Sequence, residues 1–122
     1  MKKLLIAVTS EILSKELEKV FCPRFEVHTC RTGTDTLTLI NTVRPEYLII
    51  YLSLPEMDGL SVLQQASYLP SAILALTNIA TDPVLETACS AGVHRIIRIP
   101  CTVEHIVGQF DMIAEKSPSL EV

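Results

Sequence analysis

Five short apolar runs recur along the chain: Leu4 to Val8, Phe25 to Thr29, Tyr47 to Leu52, Ala72 to Leu76 and Arg95 to Ile99. Runs of this length suit buried strands. The stretches between them carry apolar residues at helical spacing. Leu13, Leu17, Val20 and Phe21 share one helical face after Ser10, a residue type favoured at a helix N-cap, and Leu37, Ile40 and Val43 do the same before Pro45. Gly59 to Tyr68 is a third candidate helix, Asp82-Pro83 opens a fourth with Thr81 as its cap, and Val103, Ile106, Val107, Phe110 and Ile113 mark a fifth. Strand and helix therefore alternate five times. Continuous apolar strands separated by amphipathic helices predict an α/β fold, with a parallel sheet covered on both faces and right-handed crossovers. In such a doubly wound sandwich, ligands bind beyond the carboxyl ends of the strands, where strand order reverses. That edge would hold Thr9-Ser10-Glu11, Tyr51 to Gly59, Thr77-Asn78 and Ile99-Pro100.

With 122 residues the chain is long enough for one core without disulfides or metal. The expected domain covers residues 1–116, and 117–122 read as a tail or the start of a linker because Pro118 breaks the helical stripe. A formal net charge of -4, with acids and bases interspersed, gives no footprint for phosphate backbones or anionic membranes. Neither direct nucleic-acid contact nor membrane association is expected. The apolar run that opens the chain ends at Thr9-Ser10-Glu11, too short for a secretion signal and suited to a first core strand. Cys22, Cys30, Cys89 and Cys101 form no Cys-x-x-Cys pair, and His28, His94 and His105 fall on different elements. The expectation is ordinary buried thiols in a reducing cytoplasm, with no disulfide or zinc site, and scattered surface or satisfied histidines rather than ligands. Gly33, Gly59, Gly92 and Gly108 make no Gly-x-Gly phosphate loop.

The segment Tyr51-Leu-Ser-Leu-Pro-Glu-Met-Asp-Gly59, together with Thr77 and Pro100 at later strand ends, resembles the response-regulator receiver domains of the CheY-like superfamily. The resemblance runs from Lys3 to about Ala114. It implies a flavodoxin-like three-layer sandwich with strand order 2-1-3-4-5 and five helices. It also implies a site. Receivers are phosphorylated on an aspartate four residues before the proline, beside a magnesium ion held by carboxylates, and that aspartate position is Tyr51 here. The family's acidic pair falls on Thr9 and Ser10, and its lysine falls on Ile99. Neutral hydroxyls are poor ligands for a hard divalent ion, and a phenol titrating near pH ~10 is a poor nucleophile without an activator. Thr77 matches the family's switch hydroxyl, Ile96 takes the place of its switch aromatic, and Ile99-Pro100 matches a bond that is cis in receivers. Glu11 reads as a helix-start acid, Glu56 as a solvated loop residue and Asp58 as the cap of the third helix.

What the resemblance implies is thus a degenerate receiver: a cytoplasmic module of two-component signalling, neither an enzyme nor cofactor-dependent, that works through protein contacts. Its partner would be another protein or an output domain, including a DNA-binding domain of a transcriptional regulator. Glu86, Arg95, Arg98, Glu104 and Asp111 are expected to form ion pairs across the face of the last two helices and last strand, a candidate homodimer surface. The Tyr51 hydroxyl is expected to reach Thr77. The alternatives are a flavodoxin-like domain that binds a small ligand, and a receiver phosphorylated at a non-standard residue.

Overall fold

A computed structural model describes residues 1–79 and 81–119, with side chains as far as Ala114. Its elements run β1 (Lys3–Ala7), α1 (Glu11–Phe21), β2 (Glu26–Cys30), α2 (Gly33–Val43), β3 (Tyr47–Tyr51), α3 (Gly59–Gln65), β4 (Ala72–Thr77), α4 (Asp82–Ser90), β5 (Arg95–Arg98) and α5 (Val103–Ser119). The five strands form one sheet in the order β2-β1-β3-β4-β5, and every neighbouring pair is parallel. This is the doubly wound sandwich expected from the sequence.

The continuous apolar runs have a direct cause. Successive side chains of a strand point to opposite faces, and both faces of β1, β3 and β4 are covered. Leu4, Ile6, Tyr47, Ile49 and Leu74 enter a core with Leu17 and Phe21 of α1 and Ile106 and Phe110 of α5. Leu5, Ala7, Leu48, Ile50 and Ile73 enter a second core with Ile40 of α2, Val62 of α3 and Ala88 of α4. Burying each leucine, isoleucine, valine or phenylalanine side chain among them contributes about 1.5–3 kcal/mol.

The two outer strands depart from expectation. β2 begins at Glu26 rather than Phe25, and none of its residues is fully buried. β5, Arg95–Arg98, buries only Ile97 completely. Each has one unpaired edge, and the charges of Glu26, Arg95 and Arg98 make those edges poor templates for further strand pairing.

Helix starts follow local chemistry. The Ser10 hydroxyl accepts from the Leu13 N–H at 3.2 Å, Thr32 from Asp35 at 3.1 Å and Asp58 from Ser61 at 3.0 Å. Thr81 stands at the N-cap of α4, but its hydroxyl accepts no capping bond among the described residues. α3 stops at Gln65, short of Tyr68, because Ala66 turns extended. The Tyr68 hydroxyl then donates to the Pro45 carbonyl at 3.0 Å. Val20, expected on the buried face of α1, is 39% exposed. α5 reaches Ser119 through Pro118, so the first residues of the expected tail are helical. The last three, 120–122, lie outside the described residues.

Candidate functional site

Thr9 and Ser10 follow β1, Tyr51 ends β3 and Ile99 follows β5, so the fold brings four residues from distant parts of the chain to one edge of the sheet. With Val8, Leu13 and Leu76 they surround a cleft of about 110 Å³. Val8 and Leu76 form its buried floor and Ile99 a half-buried wall. The Tyr51 ring packs against both cores. The polar side chains among the lining residues of the cleft, Thr9, Ser10 and Tyr51, carry hydroxyls and no charge. A neighbouring groove of about 340 Å³ shares Ser10, Leu13 and Ile99 with the cleft and is also lined by Ile12, Pro100, Cys101 and Ile106.

The loop beneath Tyr51 is tightly specified. Its ends are joined by the Gly59 N–H donating to the Leu52 carbonyl at 2.8 Å, and its tip is tied to α2 by the Gly33 N–H donating to the Pro55 carbonyl at 3.0 Å. Leu54 is buried beneath it. Gly33 has no substitute in this arrangement, since a Cβ there would lie 1.6 Å from the Met57 carbonyl oxygen. Glu56 adopts a positive φ of 71° and is exposed. Asp58 caps α3 and does not line the cleft. The Ser61 N–H beside it holds its carboxyl below the ordinary value.

A divalent ion is implied by the resemblance to receivers, and the residues present do not fit one. The hydroxyls at the cleft are neutral, that of Ser10 already accepts from Leu13, and Ile99 supplies no donor. Among the described residues no group of three or more His, Cys, Asp or Glu converges. Glu11, next in sequence, bridges Lys15 and Arg31 at 3.2 Å each, and Lys15 first, then Arg31, lowers its carboxyl below the usual range. It lines a separate polar groove with Lys15, Arg31 and Asp35.

Several other expected residues are placed differently. Thr77 is buried, and its hydroxyl both donates to the Ile79 carbonyl at 3.1 Å and accepts from the Ile79 N–H at 3.0 Å. No hydrogen bond joins it to Tyr51 among the described residues, so the expected Tyr51–Thr77 contact is not formed. The local turn at Ile79 satisfies the threonine first. Ile96 is half-buried and packs against the core to which Ala88 of α4 belongs. Ile99-Pro100 is cis, as expected from the resemblance.

On the last two helices and β5, the expected ion pairs are replaced. Arg95 donates to Gln109 at 2.6 Å, and Asp111 pairs with Arg24 at 2.8 Å on the opposite flank of α5. Glu86, Arg98 and Glu104 are exposed, and the described residues form no salt bridge with them. The histidines are apart: His28 bonds Glu26 at 2.8 Å, the His94 Nδ1 accepts from the Ile73 N–H at 3.0 Å, and His105 is exposed on α5. All four cysteines are free, but the expected burial is not found: Cys22, at the C-cap of α1, and Cys89, in the last turn of α4, are exposed, and Cys30 and Cys101 are half-buried, which pushes those two thiols up. Val8, Leu13 and Leu76 are the lining residues that sequence reasoning missed, having assigned them to the core. The signal available was their position, each within one or two turns of a strand end that also carries a site residue.

A parallel sheet in this order, with the cleft at the β1/β3 crossing point, is the receiver fold. Solved receiver structures superpose on it almost throughout. The Francisella response regulator 1452 receiver domain matches at a TM-score of 0.79 and 16% identity, covering 96% of this chain and 99% of that one. The chemotaxis protein CheY4 of Vibrio cholerae matches at 0.80 and 19%, covering 93% and 98%. A DNA-binding response regulator of the LuxR family from Staphylococcus aureus matches at 0.77 and 20%, covering 93% and 98%. Among curated proteins, 65 residues are 38% identical to a Rhodopseudomonas palustris protein-glutamate methylesterase/protein-glutamine glutaminase, covering 52% of this chain. In a second match, 95 residues are 26% identical to the uncharacterized transcriptional regulatory protein YhcZ of Bacillus subtilis, covering 74% of this chain. The matches span only 18% and 44% of those relatives' lengths. No protein-family model matches the chain. No helix among the described residues is long and apolar enough to cross a membrane.

Proposed function

We propose that the chain is a receiver-type signalling module that takes up no phosphoryl group and acts through protein contacts. The observation that carries this reading is the convergence of Thr9, Ser10, Tyr51 and Ile99 on one cleft without a charged side chain. Phosphoryl transfer depends on neutralising the charge of the transferred group and its metal. Here neither sign of charge is available. The pair of losses is self-consistent, because a lysine at residue 99 without nearby carboxylates would be an uncompensated charge.

Its role is then to present a surface to a protein partner or output domain in the cytoplasm, in keeping with four free thiols. The match to a transcriptional regulatory protein supports a DNA-binding output domain as the regulated element. Exposed Glu86, Arg98 and Glu104 offer charges for a homodimer through α4, β5 and α5, checked by sedimentation of the wild type and an Arg98→Glu variant.

The deciding experiment is incubation with acetyl phosphate and magnesium, followed by intact-mass measurement. No added phosphoryl mass is expected for the wild type or for Tyr51→Asp, because Thr9 and Ser10 still fail to hold the metal. A stoichiometric adduct on the wild type sinks the reading, whichever residue carries it.

A further inference from the structure

We propose that the cleft at the carboxyl ends of β1, β3 and β4 binds a small uncharged molecule with an apolar body and one hydroxyl, of the class of phenols and short alcohols. Size comes first. A dry apolar cavity of about 150 Å³ holds benzene. This cleft, at about 110 Å³ and open on one side, takes a body of similar width whose outer end stands in the mouth.

The walls decide polarity. Val8 and Leu76 are 2% and 0% exposed, and Leu13 and Ile99 complete an apolar enclosure. A charged ligand would lose hydration there without gaining a partner of opposite sign, whereas an apolar ring or chain gains by leaving water. The rim decides orientation. Ser10 accepts from the Leu13 N–H and so keeps its own proton to donate, while the Thr9 and Tyr51 hydroxyls have no partner among the described residues. One ligand hydroxyl can therefore donate and accept at once. The Tyr51 ring is held as a wall by its packing on both cores and does not fill the space. This site is independent of phosphoryl chemistry, so its failure leaves the proposed function standing.

Phenol is the probe, titrated into the methyl-labelled full chain and followed by NMR, with benzoate as the anion carrying the same ring. Saturable shifts are expected at Val8, Leu13, Leu76 and Ile99, with a Kd of about 1–10 mM and benzoate at least about tenfold weaker. Ile99→Trp should abolish the phenol shifts, and Ile99→Lys should reverse the preference toward benzoate. If the tryptophan variant misfolds, the lysine variant decides the matter alone. Absence of saturation by phenol, equal binding of benzoate, or shifts that survive filling of the cleft would each overturn the proposal.

Discussion

The two ends of the sheet are built on opposite terms. At the amino-terminal end, Phe21, Phe25, Tyr47 and Phe110 form a ring cluster with centroid distances of 4.9–5.9 Å. Arg24 lies over Phe21 and Phe25 and is fixed by Asp111, and Lys2 stands over Tyr47 while donating to its hydroxyl at 3.2 Å. Every polar tip in that cluster has a partner. At the carboxyl-terminal end, residues from the same strands and helices leave a gap lined by hydroxyls and aliphatic carbons. One rim is closed by packed rings, and the other keeps a cleft. The difference teaches that charged side chains anchor one rim of the sheet while the cleft at the other rim is lined without any.

The largest test of this contrast is Phe110→Ala. It removes the ring shared by three of the aromatic contacts and should destabilise by about 3–5 kcal/mol in chemical denaturation. Ile99→Ala, at the half-buried opposite rim, should lose less than about 2 kcal/mol. Equal losses would break the comparison. Gly33→Ala sharpens it from the other side, because the loop under the cleft is close-packed even though the cleft is open. Displacing Met57 should cost about 1–3 kcal/mol. A neutral result in thermal melts would mean that the loop is not held close against α2.

Asp58→Ala should lose about 1 kcal/mol through the missing cap of α3. Its carboxyl is held below the ordinary value of 3.8 by the Ser61 N–H, so its contribution is complete above that pH and is lost as pH falls through and below it. Asp58→Asn keeps a cap that does not titrate, so between about pH 5 and about pH 2 it should lose less stability than the wild type. Smallest is Arg24→Ala, at about 1 kcal/mol or less, since the side chain is 45% exposed and its ion pair is screened. Its effect should shrink in high salt, unlike that of Phe110→Ala.

Legibility in the sequence follows the same division. β1, β3 and β4 were readable because both faces are covered, which leaves an uninterrupted apolar run with no competing pattern. β2 was misplaced by one residue because Phe25, at its start, belongs to the aromatic cluster rather than to the strand. The four neutral residues of the site were readable from their order and from the resemblance to receivers. Val8, Leu13 and Leu76 were not, since an aliphatic residue beside a gap and one beside a neighbour look alike in a string of letters. Asp111 was assigned to β5's arginines because its helix neighbours that strand. Its partner, Arg24, lies 87 positions away.

The order of residues alone determined the alternation of strand and helix, the parallel sheet and the neutrality of the site, because periodicity and side-chain charge are properties of the chain itself. Only the folded arrangement decided that Thr77 turns to Ile79, that Arg24 takes Asp111, and that Tyr51 walls a cleft without filling it. Those outcomes depend on which groups arrive within contact distance, and contact across a sheet is set by how the layers pack.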